Sequence, residues 1–320
     1  MMIAVHLENG AVSVEQRPKP GKRTGFATIR LLYGGICNTD LELQRGYYGF
    51  AGTPGHEFVG EVVSAADVDL VGKRVVGEIN LACGKCEWCA ESLGRHCPHR
   101  TVLGIVKHPG AFAEFLTLPE ENLHVVPDEI PSELAVFVEP LAAACEILDQ
   151  VFIPQNEAVA VLGDGKLGLL VAQVLQANGA RVHQFGRHKQ KLAISAKAGV
   201  TGEITGKRVP IAEYDFVVDA TGSAEGLRQA AQMTRPRGTV ILKSTVHGEV
   251  PIDTAPIIVN EITLVGSRCG RFAPALQLLA SGKVHVRELL SETFALTDAK
   301  LAFARAAERG VLKVLLENRP

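Results

Sequence analysis

At 320 residues the chain exceeds the ~250–300 at which a single core stops growing, so two domains are expected. Its 47% hydrophobic and 21% charged residues are those of an ordinary globular protein and exclude a disordered chain. A net charge of −2 with both signs interspersed excludes a nucleic-acid footprint, and no apolar run reaches the ~20 residues that cross a bilayer, which leaves small molecules as the expected partners.

The opening MMIAVHLENGAVSVEQ has neither a basic-then-apolar leader nor an Arg/Ser-rich presequence, which predicts a cytoplasmic protein. In that reducing compartment the seven cysteines read as metal ligands, catalytic thiolates or core residues, not as disulfides. From Met1 to about Leu148, short β-rich runs such as Phe26–Leu32, Gly60–Val63 and Arg74–Val76 are punctuated by Gly, Pro and Asp, predicting an irregular β domain. Inside it Cys83, Cys86, Cys89 and Cys97 are spaced C-x2-C-x2-C-x7-C in a loop that also carries Lys85, Glu87, Glu91 and Arg95. That spacing lets four thiolates converge on a tetrahedral zinc, and four protein ligands leave no open position, so this ion would staple the loop and do no chemistry. Two earlier fragments, Gly34-Gly35-Ile36-Cys37-Asn38-Thr39-Asp40 and Thr53-Pro54-Gly55-His56-Glu57, are ambiguous alone: a single Cys is usually core, and a His-Glu pair is usually surface.

From Ala158 the texture changes to alternating strand and helix. The apolar runs Ala158–Leu162, Arg181–Phe185, Phe216–Ala220, Gly238–Leu242 and Ile262–Gly266, with a helix at Leu167–Asn178, predict an α/β fold with a doubly wound parallel sheet. A helix at Ala273–Ser281, a terminal helix near Asp298–Arg309 and a strand at Val311–Leu316 follow. The expected division is 1–148 with 268–320 in one domain and 149–267 in the other. Between the first strand of the sheet and its helix stands Gly163-Asp164-Gly165-Lys166-Leu167-Gly168, a G-x-G-x-x-G in the context that gives the pattern meaning. Gly163 permits the tight turn, Gly165 lets a pyrophosphate approach, and Gly168 lets helix and strand pack. The helix start at Lys166 and Leu167 offers free N–H donors to the phosphates. Thr221 and Ser244 close later strands at the same carboxyl edge, where backbone contacts to a dinucleotide are expected.

In order and spacing, GICNTD, GHEFVGEVV, the four-cysteine loop and VEPLAAA resemble the zinc-containing medium-chain alcohol dehydrogenases along nearly the whole chain. Glu139-Pro140 is similar to the polyol, glucose and threonine dehydrogenase branches, in which a Glu-Pro pair stands in place of a second ligating cysteine. The resemblance implies a GroES-like catalytic domain beside a Rossmann domain, with two zinc ions per chain. It implies Cys37, His56 and Glu139 as ligands of the catalytic ion, with Glu57 as an alternating or water-exchanged ligand. Asp40 would orient His56 through the far ring nitrogen, and Thr39 would pass a proton from the substrate oxygen. Glu42 stands where many relatives carry a relay histidine, a departure in the outer proton path. Gly186 stands where NAD enzymes of this kind place an acidic residue, and Arg187 beside it offers a planar fork suited to phosphate, with His188 adding charge. NADP(H) is therefore expected ahead of NAD(H). A homodimer or homotetramer built through the cofactor domain is also implied. The expected activity is reversible hydride transfer between NADP(H) and an alcohol or carbonyl compound. An NAD-linked polyol or sugar dehydrogenase and a non-catalytic NADPH-binding structural or sensor protein stand as alternatives.

Overall fold

The computed structural model describes residues 1–206, 209–244 and 250–319, which form two compact units: Met1–Glu139 with Leu290–Pro320, and Pro140–Leu289. The chain returns to the first unit at Leu290, later than the 268 expected from sequence. The reason lies in contacts of residues 268–289 within the second unit: Lys243 Nζ donates to Arg268 O (2.9 Å) and the His285 N–H donates to Gln173 Oε1 (2.6 Å).

The first unit is built on a mostly antiparallel sheet. Its strands run in the order Leu123–Val125, Arg74–Gly77, Glu57–Ser64, Phe26–Ile36, Lys313–Glu317 and Leu290–Ala295, with Phe115–Pro119 also paired to Phe26–Ile36. Along Phe26–Ile36 the alternation of a half-covered strand buries Ala27, Ile29 and Leu31. Its end breaks that alternation with Gly34 and Gly35 because neighbours press in: a Cβ on Gly35 would lie 2.7 Å from both Glu57 Oε2 and Val136 Cγ1. The strand then turns into the helix Asn38–Gln44, capped by its own sequence. The Cys37 sulfur accepts the Thr39 N–H, and the Asp40 carboxylate reaches back to the Cys37 N–H, a reciprocal capping box.

The second unit is a six-stranded, all-parallel sheet in the order Thr201–Ile204, Arg181–Gly186, Ala158–Leu162, Tyr214–Asp219, Thr234–Leu242 and Thr263–Gly266. Val159, Val161, Val217, Val218, Val240 and Ile241 are shut off from solvent, as the apolar runs require of a sheet covered on both faces. Strand order reverses beside Ala158–Leu162, and the crevice outside the carboxyl ends at such a switch point is where ligands bind. The short edge strand Thr201–Ile204 escapes the sequence reading because all four of its residues are exposed and carry no apolar run.

Candidate metal and cofactor sites

The four cysteines of the first unit do converge. Sγ separations are 3.5 Å for Cys86–Cys89, 3.7 Å for Cys86–Cys97 and 3.9 Å for Cys83–Cys89. A tetrahedron with Zn–S bonds of about 2.3 Å has edges of about 3.8 Å, so the four sulfurs fit one zinc ion. Crowding splits their acidities. The Lys85 N–H above all draws Cys83 down to about 6. Cys86 rises to about 12, because the pull of the Cys89 N–H is outweighed by burial and by the surrounding sulfurs.

A second donor cluster forms where Phe26–Ile36, the strand starting at Glu57 and the helix Val138–Gln150 meet. Cys37 Sγ lies 3.0 Å from His56 Nε2, and donor atoms of His56, Glu57 and Glu139 lie within 4.8 Å of one another. Three local features hold these groups. Gly55, at φ +100°, turns the chain just ahead of His56 in a conformation costly for residues with a Cβ. Asp40, fully buried, accepts the Cys37 N–H (2.9 Å) and the Gly55 N–H (3.2 Å), so one carboxylate fixes the backbone beside both Cys37 and His56. Glu139 sits in the first turn of its helix, where a carboxylate suits the free N–H groups. Thr39 is half-buried next to Cys37, while Glu42 pairs with Arg45.

The electrostatics of this cluster call for a cation. Burial by itself would push His56 down, yet the Cys37 sulfur and the Asp40 carboxylate outweigh it and hold the imidazole well above the ordinary histidine range. His56 Nδ1, 3.6 Å from Asp40 Oδ1, is buried and makes no hydrogen bond among the described residues. A sulfur, an imidazole and two carboxylates that draw a proton inward in this way are a donor set suited to a divalent zinc. Sequence reasoning missed one member. Lys313, 1% exposed, donates its ammonium to Glu57 Oε2 and lies over the Phe137 ring at 5.9 Å from its centroid. Burial opposes its charge, but Glu57, Cys37 and Glu139 together hold it above the usual lysine range. The available signal was a lone lysine between Leu312 and Val314 in an otherwise apolar strand.

In the second unit Gly163, at φ +113°, makes the turn after Ala158–Leu162, and Gly165 caps the helix Lys166–Ala177 with open space around its missing Cβ. The loop is braced from below by a residue the sequence reading passed over: buried Gln184 donates to Gly163 O (2.8 Å) and accepts from Ser195 Oγ (2.5 Å). Thr221 is tied to Asp219 by its N–H (2.9 Å) and hydroxyl (2.8 Å), and Ser244 Oγ accepts the Gly222 N–H (2.8 Å), so both line the carboxyl edge. Gly186 ends its strand buried, followed by exposed Arg187 and His188. Asp164 Oδ2 accepts the N–H groups of Arg187 (2.8 Å) and His188 (2.6 Å) and faces His188 Nδ1 at 2.9 Å. Burial raises the Asp164 carboxyl, and these donors more than offset it, leaving it below the usual carboxylate range. Arg271, just ahead of the helix Phe272–Ala280, is paired with Asp149 at 2.8 Å.

The chain is similar to known proteins along most of its length. Residues 23–128 match the alcohol dehydrogenase GroES-like domain, and residues 167–281 match the zinc-binding dehydrogenase family. D-arabitol-phosphate dehydrogenase of Enterococcus avium is 30% identical over 91% of this chain and 90% of its own length. Sorbitol dehydrogenase of Halalkalibacterium halodurans is 29% identical over 96% of both. Among solved structures, a candidate zinc-binding dehydrogenase of Sinorhizobium meliloti, bound to NADP, superposes with a TM-score of 0.91 at 28% identity over 99% of each chain. With its GroES-like and Rossmann-type units, its conserved-length relatives and its oxidoreductase motifs, the chain belongs to the zinc-binding medium-chain alcohol dehydrogenase family.

Proposed function

We propose that this chain oxidises a hydroxyl-bearing small molecule, a polyol or polyol phosphate, and reduces the matching carbonyl compound, by hydride exchange with a nicotinamide dinucleotide at a zinc site. The observation that carries this reading is buried His56, shared by two donor groups, with the half-buried Cys37 sulfur 3.0 Å from its Nε2 and with Glu57 and half-buried Glu139 within 4.8 Å. When bound, zinc supplies Lewis acidity to the substrate oxygen and the nicotinamide ring supplies a hydride acceptor. The residues do the rest. Cys37, His56 and Glu139 hold the ion. Glu57, engaged by Lys313, is the reserve ligand. Asp40 orients the Cys37–His56 pair, and the Thr39 hydroxyl would accept a hydrogen bond from the substrate hydroxyl and relay its proton, giving up its own to solvent as it receives the substrate's. Glu42, three residues on in the same helix, is paired with Arg45. The four cysteines hold a second, structural zinc.

The N–H groups at Lys166 and Leu167 receive the pyrophosphate of the dinucleotide, with Gly165 keeping the approach clear and Gly168 letting the helix pack close to the Gly163 turn. Gly186 and Arg187 favour NADP(H), and so does the NADP in the Sinorhizobium neighbour. A second reading, NAD(H), is favoured by the Asp164 carboxylate beside Gly186. The relatives' polyol and polyol-phosphate substrates support the substrate class proposed here. The test is nicotinamide absorbance with sorbitol, arabitol, arabitol phosphate, threonine and simple alcohols, with NADP and NAD in parallel, before and after chelation. Turnover with a polyol that chelation abolishes and zinc restores is expected. Tight dinucleotide binding with no turnover across the panel would support the non-catalytic alternative.

A further inference from the structure

We propose that Asp164 chooses the dinucleotide: delivered from the glycine loop, its carboxylate takes the place of the acid missing at Gly186, accepts the ribose 2′-hydroxyl and excludes a 2′-phosphate. This rests on the dinucleotide reading of the second unit. Three observations carry it.

The first is volume. A Cβ on Gly186 would lie 2.6 Å from Asp164 Cβ, 2.8 Å from Oδ2 and 2.9 Å from Cγ. The room opened by the missing side chain is therefore already filled, and filled by a carboxylate. The second is donors. The strand-end N–H groups of Arg187 and His188, which a 2′-phosphate would need, are spent on Asp164 Oδ2 at 2.8 and 2.6 Å. Oδ1 takes part in no hydrogen bond among the described residues, which leaves an acceptor for a hydroxyl. The third is the balance of charge. Asp164 is 7% exposed and fixed by these contacts and by His188 Nδ1 at 2.9 Å, which leaves the exposed Arg187 side chain, of these two basic residues, to attract a phosphate. Interactions of exposed charges are weakened by solvent and salt far more than those of a buried, immobile one, so the carboxylate outweighs the exposed guanidinium.

The experiment is calorimetric titration of the zinc-loaded protein with NADH and with NADPH, needing no substrate. Wild type is expected to bind NADH at least about tenfold more tightly, the scale of one hydrogen bond to a charged group. Asp164→Asn should shrink that ratio about tenfold, losing NADH and gaining NADPH. The double variant Asp164→Gly/Gly186→Asp, which returns the acid to the strand end and removes the clash, should restore the preference for NADH. Wild-type preference for NADPH, or equal weakening of both ligands by Asp164→Asn, overturns the role of Asp164 and leaves the dinucleotide reading standing. Binding of neither ligand by wild type removes both.

Discussion

Lys313 and Glu57 show what a single residue pair can decide. Both side chains are buried, at 2% and 3% exposure, and each is the other's charge partner. Removing one partner of such a pair leaves an uncompensated charge away from water, which costs about 3–5 kcal/mol. Lys313→Met should therefore lower the unfolding free energy by about that amount in urea melts, while Glu57→Gln/Lys313→Met should recover most of it. A loss below about 1 kcal/mol would mean that the pair is solvated in solution. Neither residue announced the contact. Glu57 was visible through its place after His56, but its partner lies 256 positions away, and a lysine in a short apolar strand reads equally well as a strand edge. Asp40 was legible in part: the resemblance implied a carboxylate beside His56, whereas the cap it makes on the Cys37 N–H came only with the structure.

At the scale of elements, the most legible pieces were those whose chemistry is local. The cysteine loop packs four ligands into fifteen residues, so spacing alone foretold convergence, and Cys97 ends up fully buried. Cys97→Ser should cut zinc content by one ion per chain and lower the melting midpoint by about 5–10 °C, as expected for a few kcal/mol in a chain of this size. Zinc analysis with a thermal melt checks it. An unchanged midpoint would show that the loop is held by its short helices and turns without the ion. The glycine loop was equally legible, because strand, turn and helix follow one another directly. Its brace was not: Gln184 reaches Gly163 across the sheet, and a polar residue between His183 and Phe185 gives no hint of direction.

At the scale of the whole molecule, Thr263–Gly266 forms the edge of the six-stranded sheet among the described residues, and the adjoining helix Ala255–Val259 leaves Ile258 and Val259 at 71% and 79% exposure. An exposed strand edge beside apolar side chains is a template for pairing with another copy. Light scattering should give a mass of two or four times the 34.2 kDa chain, and Ile258→Glu/Val259→Glu should reduce it to one. A monomeric wild type would exclude this surface as an assembly contact.

The sequence by itself determined the class of the fold, the two families of motif and the gathering of four cysteines in one loop. Those properties depend on residues close together in the chain: apolar runs of strand length, a glycine turn between strand and helix, and cysteines within one loop. The tertiary structure alone decided which distant side chains complete them. Lys313 came to Glu57 because a C-terminal strand pairs beside Phe26–Ile36. Asp164 came to fill the space at Gly186 because two parallel strands lie side by side in register, Leu162 against Phe185. The expectation of NADP(H) rests on Gly186 and Arg187 at the strand end, and the carboxylate beside them is brought there by packing alone. The space an absent side chain leaves is a property of its neighbours, and packing at native density does not leave such space unclaimed.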